Sequence, residues 1–275
     1  MMNVKEAYDY SFSFLKANGV DEAENKALNA VCCIAGIKLG EYQSHKDDFV
    51  NMKRLADFLW RLKTGEPLQY VMGKWDFYES EFFVGEGVLI PRPETEELTE
   101  LVIDYAKSLE KPVIFDLCSG SGCIGISVAK KLSNAFVYCI EKSKDAYKYL
   151  ERNAKGVANV ECILGDINNE FDLPSADIIV SNPPYIKSGD MKTLQKEVKK
   201  EPSMALDGGD DGLDFYRIIN DKWKKYLKDN GRLFLEIGED EGESIKYALS
   251  AFSNITVKKD LSGNDRMVVA DKVIG

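Results

Sequence analysis

The sequence predicts an α/β chain: a small N-terminal helical bundle, a β-hairpin, and then a doubly wound, mostly parallel sheet. Three observations predict it. Residues 1–67 place apolar side chains at helical spacing, residues 68–90 switch to alternation, and residues 91–275 alternate short apolar runs with helical segments. At roughly 150 residues per domain, 275 residues accommodate about two domains. The predicted boundaries are 1–67, 68–90 and 91–275.

The first helix is expected over residues 4–17, with Val4, Ala7, Tyr8, Phe12, Phe14 and Leu15 as its apolar set and Gly19 as a C-terminal cap. Asp21 is the expected N-cap of a second helix that buries Ala27, Leu28, Val31 and Ile34. A third is expected from about Asp47 to Lys63, burying Phe49, Met52, Leu55, Leu59 and Leu62. Short helices with short loops pack as a bundle. From Leu68 to Ile90 the alternating aromatics, punctuated by Gly73, Gly85 and Gly87, predict the hairpin. Pro93 then opens a helix reaching Lys107, its first turn followed by Glu94, Glu96 and Glu97, which the helix dipole favours.

Strands are expected at 113–117, 136–140, 160–164, 177–180 and 232–237, with helices near 123–132, 143–154 and 213–228. A helix near 241–251 precedes β-rich stretches at 254–259 and 266–270. The turn Ser262-Gly263-Asn264-Asp265 between them is too short for a parallel crossover, so this pair is antiparallel. Lys187–Pro202, rich in Lys and Glu, reads equally as a lid or as a solvated helix.

Charge is unevenly placed. Residues 1–75 hold 10 Lys and Arg against 10 Asp and Glu, so the whole net charge of -10 falls on residues 76–275. So acidic a region is a poor grip for duplex DNA phosphates. The single histidine, His45, lies in a polar stretch and reads as a surface residue, which weighs against His-ligated metals and His-based triads. The six cysteines form no C-x-x-C pair and mostly sit in apolar runs, as reduced core residues do. With no signal-peptide pattern and no run of about 18 apolar residues, a cytoplasmic protein without membrane partner is expected.

Two turns carry chemistry. The strand ending in Asp116-Leu117 runs into Cys118-Ser119-Gly120-Ser121-Gly122-Cys123-Ile124-Gly125, where glycines let a ligand approach the backbone closely. Glu141, at the end of the next strand, can take both hydroxyls of a ribose. Together they indicate a nucleotide-containing cofactor without saying which. Gly120-x-Gly122-x-x-Gly125 also satisfies the dinucleotide fingerprint, so a nicotinamide oxidoreductase is a rival that leaves the second turn unexplained. That second turn is Ser181-Asn182-Pro183-Pro184-Tyr185, at the C-terminal edge of the fourth parallel strand, where open α/β sheets bind ligands. The prolines hold it extended and supply no N–H. The Asn182 amide oxygen and the Pro183 carbonyl are then fixed acceptors suited to an –NH2 group, and Tyr185 offers a flat face on which a planar amide or base can stack.

These residues resemble the seven-stranded, Rossmann-like S-adenosylmethionine-dependent methyltransferases that carry an (Asn/Asp)-Pro-Pro-Tyr motif. Further segments are similar to the bacterial peptide chain release factor glutamine methyltransferases: Gly65-Glu66-Pro67-Leu68-Gln69-Tyr70, Pro91–Leu98, Glu201-Pro202, Ala205-Leu206-x-Gly208-Gly209-x-Asp211-Gly212-Leu213, and Asp265-Arg266. The likeness runs over essentially the whole chain. One departure is Cys118, where the family's turn usually begins with Gly.

The resemblance implies S-adenosylmethionine as cofactor, no metal, and the glutamine of the Gly-Gly-Gln loop of class I release factors as acceptor. It implies that Asp116 and Cys118, Ser119, Gly120, Ser121 and Gly122 contact the methionine portion, that Glu141 holds the ribose, and that Asp166 and Ile167 flank the adenine. Asn182, assigned to both cofactor and substrate, binds the acceptor amide with Pro183, while Pro184 and Tyr185 complete the substrate side and Tyr185 packs beside the amide. Asn182, Pro183 and Tyr185 are the implied catalytic set. The N-terminal bundle would dock the release factor; a monomer without direct nucleic-acid contact is expected. A glutamine methyltransferase of a large-subunit ribosomal protein, or a DNA amino-methyltransferase, stays open as an alternative.

Overall fold

A computed structural model describes residues 2–273. Its contacts divide the chain into two units: Met1–Lys74 with Gln195–Lys200, and Trp75–Leu194 with Glu201–Gly275.

The first unit holds helices α1 (Val4–Ala17), α2 (Ala23–Ala35), α3 (Met52–Lys63) and α4 (Leu68–Met72). Asn3 and Glu6 close a reciprocal capping box at the start of α1, and the Asn51 side chain accepts the Arg54 N–H to cap α3. Val4, Ala7, Leu15, Ala27, Val31, Leu55, Leu59 and Leu62 are buried. Three expectations are corrected here. Asp21 does not cap α2; the cap position falls on Glu22, in left-handed backbone and without a side-chain bond. Phe49 and Val50 form a short strand paired with Met2 and Asn3, which turns the Phe49 ring to solvent at 70% exposure. Leu68–Met72 is a helix, so the hairpin is confined to Lys74–Phe77 and Ser80–Phe83. Residues 195–200, distant in sequence, complete this unit, and within it buried Lys26 pairs with Glu197.

The second unit is built on a seven-stranded sheet. Its strands are β1 (Val113–Leu117), β2 (Phe136–Glu141), β3 (Val160–Leu164), β4 (Ala176–Ser181), β5 (Leu227–Glu236), β6 (Phe252–Lys259) and β7 (Asp265–Lys272). The spatial order is β6-β7-β5-β4-β1-β2-β3, parallel from β5 through β3, with β7 antiparallel to both β5 and β6. The order reverses between β1 and β4, the place where such sheets leave a crevice beyond their strand ends.

Helices α5 (Pro93–Ala106), α6 (Cys123–Lys131) and α7 (Lys144–Ala154) match their expected positions closely. The expected helix over 213–228 is instead a short α8 (Asp214–Ile218) continued by one wide π turn, Ile219–Trp223, and a 3-10 turn. Lys187–Pro202 is not a continuous helix; it contains two single 3-10 turns, Asp190–Lys192 and Val198–Lys200. Alternation along β1 sorts the core into two layers: Ile114 joins Phe77, Leu98, Ile103 and Val137 on one face, Phe115 and Leu117 join Ile140, Ile179, Trp223 and Leu235 on the other. Among the described residues no helix is long and apolar enough to cross a membrane.

Candidate active site

Register brings the two chemically loaded turns together. Leu117 on β1 lies opposite Ser181 on β4, so Cys118 and Asn182 leave neighbouring strands at the same level. The Ser181 hydroxyl donates to the Leu117 carbonyl at 2.6 Å and ties the strand ends. Beyond them opens a cavity of about 430 Å³, within the size range of small-molecule sites. Of the residues singled out from sequence, Cys118, Ser119, Gly120, Ser121, Glu141, Asp166, Ile167, Asn182 and Pro184 line it. Asp116, Gly122, Pro183 and Tyr185 do not line it.

Two of these exceptions, Asp116 and Tyr185, have a physical reason. Asp116 shares the Ile114 face of β1, so its side chain runs beneath α6 and accepts the Gly125 N–H at 3.0 Å. A side chain on Gly125 would collide with Asp116 and Cys139. Asp116 therefore anchors the turn from below. Tyr185 turns its hydroxyl to Glu236 at 3.3 Å instead of offering its ring face to the cavity.

The glycine turn winds through left-handed backbone at Cys118, Gly120 and Gly122, with φ of 58°, 56° and 79°. This explains glycine's usual place at the first of these positions, where the Cys118 side chain costs about 1–2 kcal/mol. Its thiol is pushed up by burial and by nearby Glu141, so it stays neutral. Glu141 fastens the turn: one carboxylate oxygen accepts the Gly120 N–H at 2.8 Å, the other the Ser143 N–H at 2.6 Å. Burial raises its pKa against these bonds.

Donors and acceptors in the cavity fit S-adenosylmethionine. Ser121 has a buried hydroxyl that makes no hydrogen bond among the described residues, with only the weakly donating Cys123 thiol beside it. Glu141 retains lone pairs for ribose hydroxyls. Ile140, Ile167 and Ala146 supply apolar wall for a base, and the Ile167 carbonyl is held by the indole N–H of buried Trp223 at 2.9 Å. Asp166 lies beside them; burial opposes its charge, but Lys142 at 2.8 Å and two bonds from Asn168 outweigh that and lower its pKa.

The chain matches the family model described as PrmC N-terminal domain over residues 6–73 and that described as Methyltransferase small domain over 94–211. It is 36% identical to the release factor glutamine methyltransferase of Bacillus cereus, covering 98% of this chain and 99% of that one. The chain belongs to the release factor glutamine methyltransferase family. Another release factor glutamine methyltransferase, from Thermodesulfovibrio yellowstonii, is 42% identical over 77% of this chain and 78% of its own. Membership makes the protein an S-adenosylmethionine-dependent protein-glutamine N-methyltransferase. The fold is also that of the hMettl16 catalytic domain, with a TM-score of 0.55 at 14% identity over 70% of this chain and 75% of that chain.

Sequence reasoning gave no individual role to three residues at or beside the site, Thr95, Glu201 and Glu236. Thr95, 1% exposed, lies inside the acidic start of α5, in the Pro91–Leu98 segment that carries the family likeness but pointed to no single side chain. Glu236 ends β5 as a lone acid in the apolar run Leu233–Ile237, a signal that could have found it. Buried Glu201 accepts the Ile90 N–H at 2.9 Å and pairs with Arg92, tying two cavity-lining loops together.

Three buried carboxyls are strongly raised. Burial pushes Asp116, Glu236 and Glu241 each up to about 7. The folded chain thus holds protons up to neutral pH that the unfolded chain releases near its ordinary carboxylate values. Stability is therefore expected to fall as pH rises from about 5 to 8, by at most about 1.4 kcal/mol per pH unit for each group. Urea unfolding across that range checks it: the midpoint should be lower at pH 8, and a midpoint that climbs toward pH 8 refutes the assignment.

Proposed function

We propose that this protein methylates the side-chain amide nitrogen of the glutamine in the Gly-Gly-Gln loop of class I peptide chain release factors. The single observation that carries the site assignment is the Asn182-Pro-Pro-Tyr185 turn, set by register beside the glycine turn at the mouth of one cavity. The names of relatives that match nearly end to end support the acceptor.

An amide nitrogen is a weak nucleophile because its lone pair is delocalised into the carbonyl. Bound S-adenosylmethionine supplies an electrophilic methyl group; the chain's residues supply alignment, which in favourable cases is worth roughly 7–11 kcal/mol. Ser119, Gly120 and Ser121 hold the amino-acid portion, Glu141 the ribose, and Asp166 with Ile167 the adenine. Asn182 Oδ1 and the Pro183 carbonyl accept the two amide protons and aim the nitrogen at the methyl. Their bonds strengthen as the nitrogen gains positive charge. Asp116 and Tyr185 act from behind, holding the two turns. We further propose that residues 1–67 form the docking domain, that 68–90 link it to a methyltransferase domain spanning 91–275, and that the enzyme works as a monomer without direct nucleic-acid contact.

The test offers radiolabelled S-adenosylmethionine with a class I release factor, ribosomal subunits and DNA as competing acceptors, then maps the label. Label on the Gly-Gly-Gln glutamine is expected. Label on a ribosomal-protein glutamine, or on a base, replaces this substrate with that one.

A further inference from the structure

We propose that the Thr95 hydroxyl and the Glu236 carboxylate make the site selective for an amide over a carboxylate, by dictating which end of the Asn182 side chain faces the acceptor. The inference rests on the reading that a glutamine side chain is the acceptor, and it identifies Thr95 and Glu236 as positioning residues for it.

Proton counting decides the orientation. Thr95 Oγ1 lies 2.6 Å from Glu236 Oε2. Above about pH 7, where burial no longer keeps Glu236 protonated, its carboxylate only accepts, so the one hydroxyl proton of Thr95 is committed to it. What Thr95 has left is lone pairs, and those can only accept. The Asn182 atom 3.1 Å away must therefore be Nδ2. The –NH2 end of Asn182 is turned toward Thr95, and Oδ1 is the end free for the acceptor. Facing Oδ1, a glutamine –NH2 finds a hydrogen-bond acceptor. A glutamate carboxylate in the same place puts oxygen against oxygen, which costs a desolvated polar contact in a closed site.

Glu236 is built to keep this direction. It is 1% exposed at the end of β5, and its second oxygen takes the Tyr185 hydroxyl at 3.3 Å. The Tyr216 hydroxyl donates to the Glu236 backbone carbonyl at 3.0 Å. Burial is the largest influence on its charge and opposes ionisation, as does Glu94 on α5; the Thr95 hydroxyl, Arg266 on β7 and the Tyr185 hydroxyl favour the ionised form, and the Cys123 thiol on α6 also feels its charge. Remove the acceptor, and the Thr95 hydroxyl becomes free to donate to Asn182 Oδ1. The amide then turns over and presents –NH2, which suits a carboxylate. Asparagine alone gives no preference between the two ends; the Glu236–Thr95 pair imposes one.

The test compares wild type, Thr95→Val and Thr95→Ser with two ligands: a class I release factor with its Gly-Gly-Gln loop, and the same protein with that glutamine changed to glutamate. Methylation of the first and competitive inhibition by the second are measured, with calorimetry of S-adenosylhomocysteine as a control. Wild type is expected to prefer the glutamine protein strongly. Thr95→Val should bind S-adenosylhomocysteine within about twofold of wild type, yet lose at least tenfold in kcat/KM and shift the Gln-over-Glu preference by at least fivefold toward Glu. Thr95→Ser should restore both. A merely structural role for Thr95 would lower activity without moving the preference, so an unchanged preference in Thr95→Val overturns the inference. Should Thr95→Val fail to fold, Glu236→Gln carries the same comparison, because its amide can donate to Thr95 and release the hydroxyl. If wild type itself leaves the release factor unmethylated, the proposed acceptor fails instead, a result distinct from an unshifted preference.

Discussion

Asn182→Ala is expected to lower turnover by at least about 10³-fold, while affinity for S-adenosylhomocysteine changes by less than about threefold. The asymmetry follows from where the side chain stands. Its Nδ2 is spent on Thr95, and its Oδ1 is the acceptor left at the cavity. The turn that would hold the cofactor's amino-acid portion is fastened by other groups: Glu141 through the Gly120 N–H, Asp116 through the Gly125 N–H, and Ser119 through its N–H to the Ile140 carbonyl at 3.1 Å. Truncating Asn182 disturbs none of these. Alanine removes the group that aims the amide nitrogen and that gains strength as charge develops. Single-turnover methylation beside calorimetry checks it; turnover within tenfold of wild type would sink the role given to Asn182.

Gly208→Ala should be the second most damaging change, costing about 10²-fold in kcat/KM through a displacement on the order of 1 Å of the Pro-Pro-Tyr turn. Nothing in Gly208 is chemically reactive; its role is nearness. A Cβ built there would stand 2.7 Å from the Tyr185 Cα and 2.8 Å from the backbone oxygens of Pro184 and Gly212. All three are backbone atoms, so no flexible side chain can yield. The two segments are also laced together: the Ile186 N–H donates to the Leu206 carbonyl at 2.9 Å, and the Gly208 N–H to the Ile186 carbonyl at 2.8 Å. The methyl must therefore push the catalytic turn itself. S-adenosylhomocysteine affinity should hold within a few-fold, and a Gly208→Ala enzyme with wild-type kcat/KM would refute the close-packing explanation.

Legibility in the sequence followed periodicity. Strands β1, β2 and β4 and helices α5 to α7 announce themselves because each buries apolar residues in a compact run or stripe, β3 shows as a short apolar run that is only part-buried, and the short turn 262–265 forces the antiparallel end of the sheet. Where side chains serve two demands, the pattern misleads. Phe49 looks like a core residue of a helix, yet pairing with Asn3 turns it outward. Residues 213–228 carry helical spacing, yet the turn widens at 219–223 where the large Trp223 side chain is fully buried. The two chemical turns were legible because Gly and Pro restrict backbone so strongly. Thr95 and Glu236 were not, since their pairing spans 141 residues and follows from how helix α5 packs on strand β5. Asp116 shows the opposite failure: its place at a strand end was plain, but alternation along β1 sends its carboxyl under α6.

The first unit takes two separate pieces of chain, and that has a consequence for its biogenesis. Lys26 is buried on α2, and its carboxylate partner, Glu197, belongs to a stretch synthesised 171 residues later. Domains of growing chains fold largely in the order they leave the ribosome, at about 5–20 residues per second. The helices α1 to α4 can collapse early, but the ammonium of Lys26 meets its counter-charge only when residue 197 emerges, roughly 9–34 seconds on. The amino-terminal unit therefore gains its last piece, residues 195–200, only after strands β1 to β4 have been made.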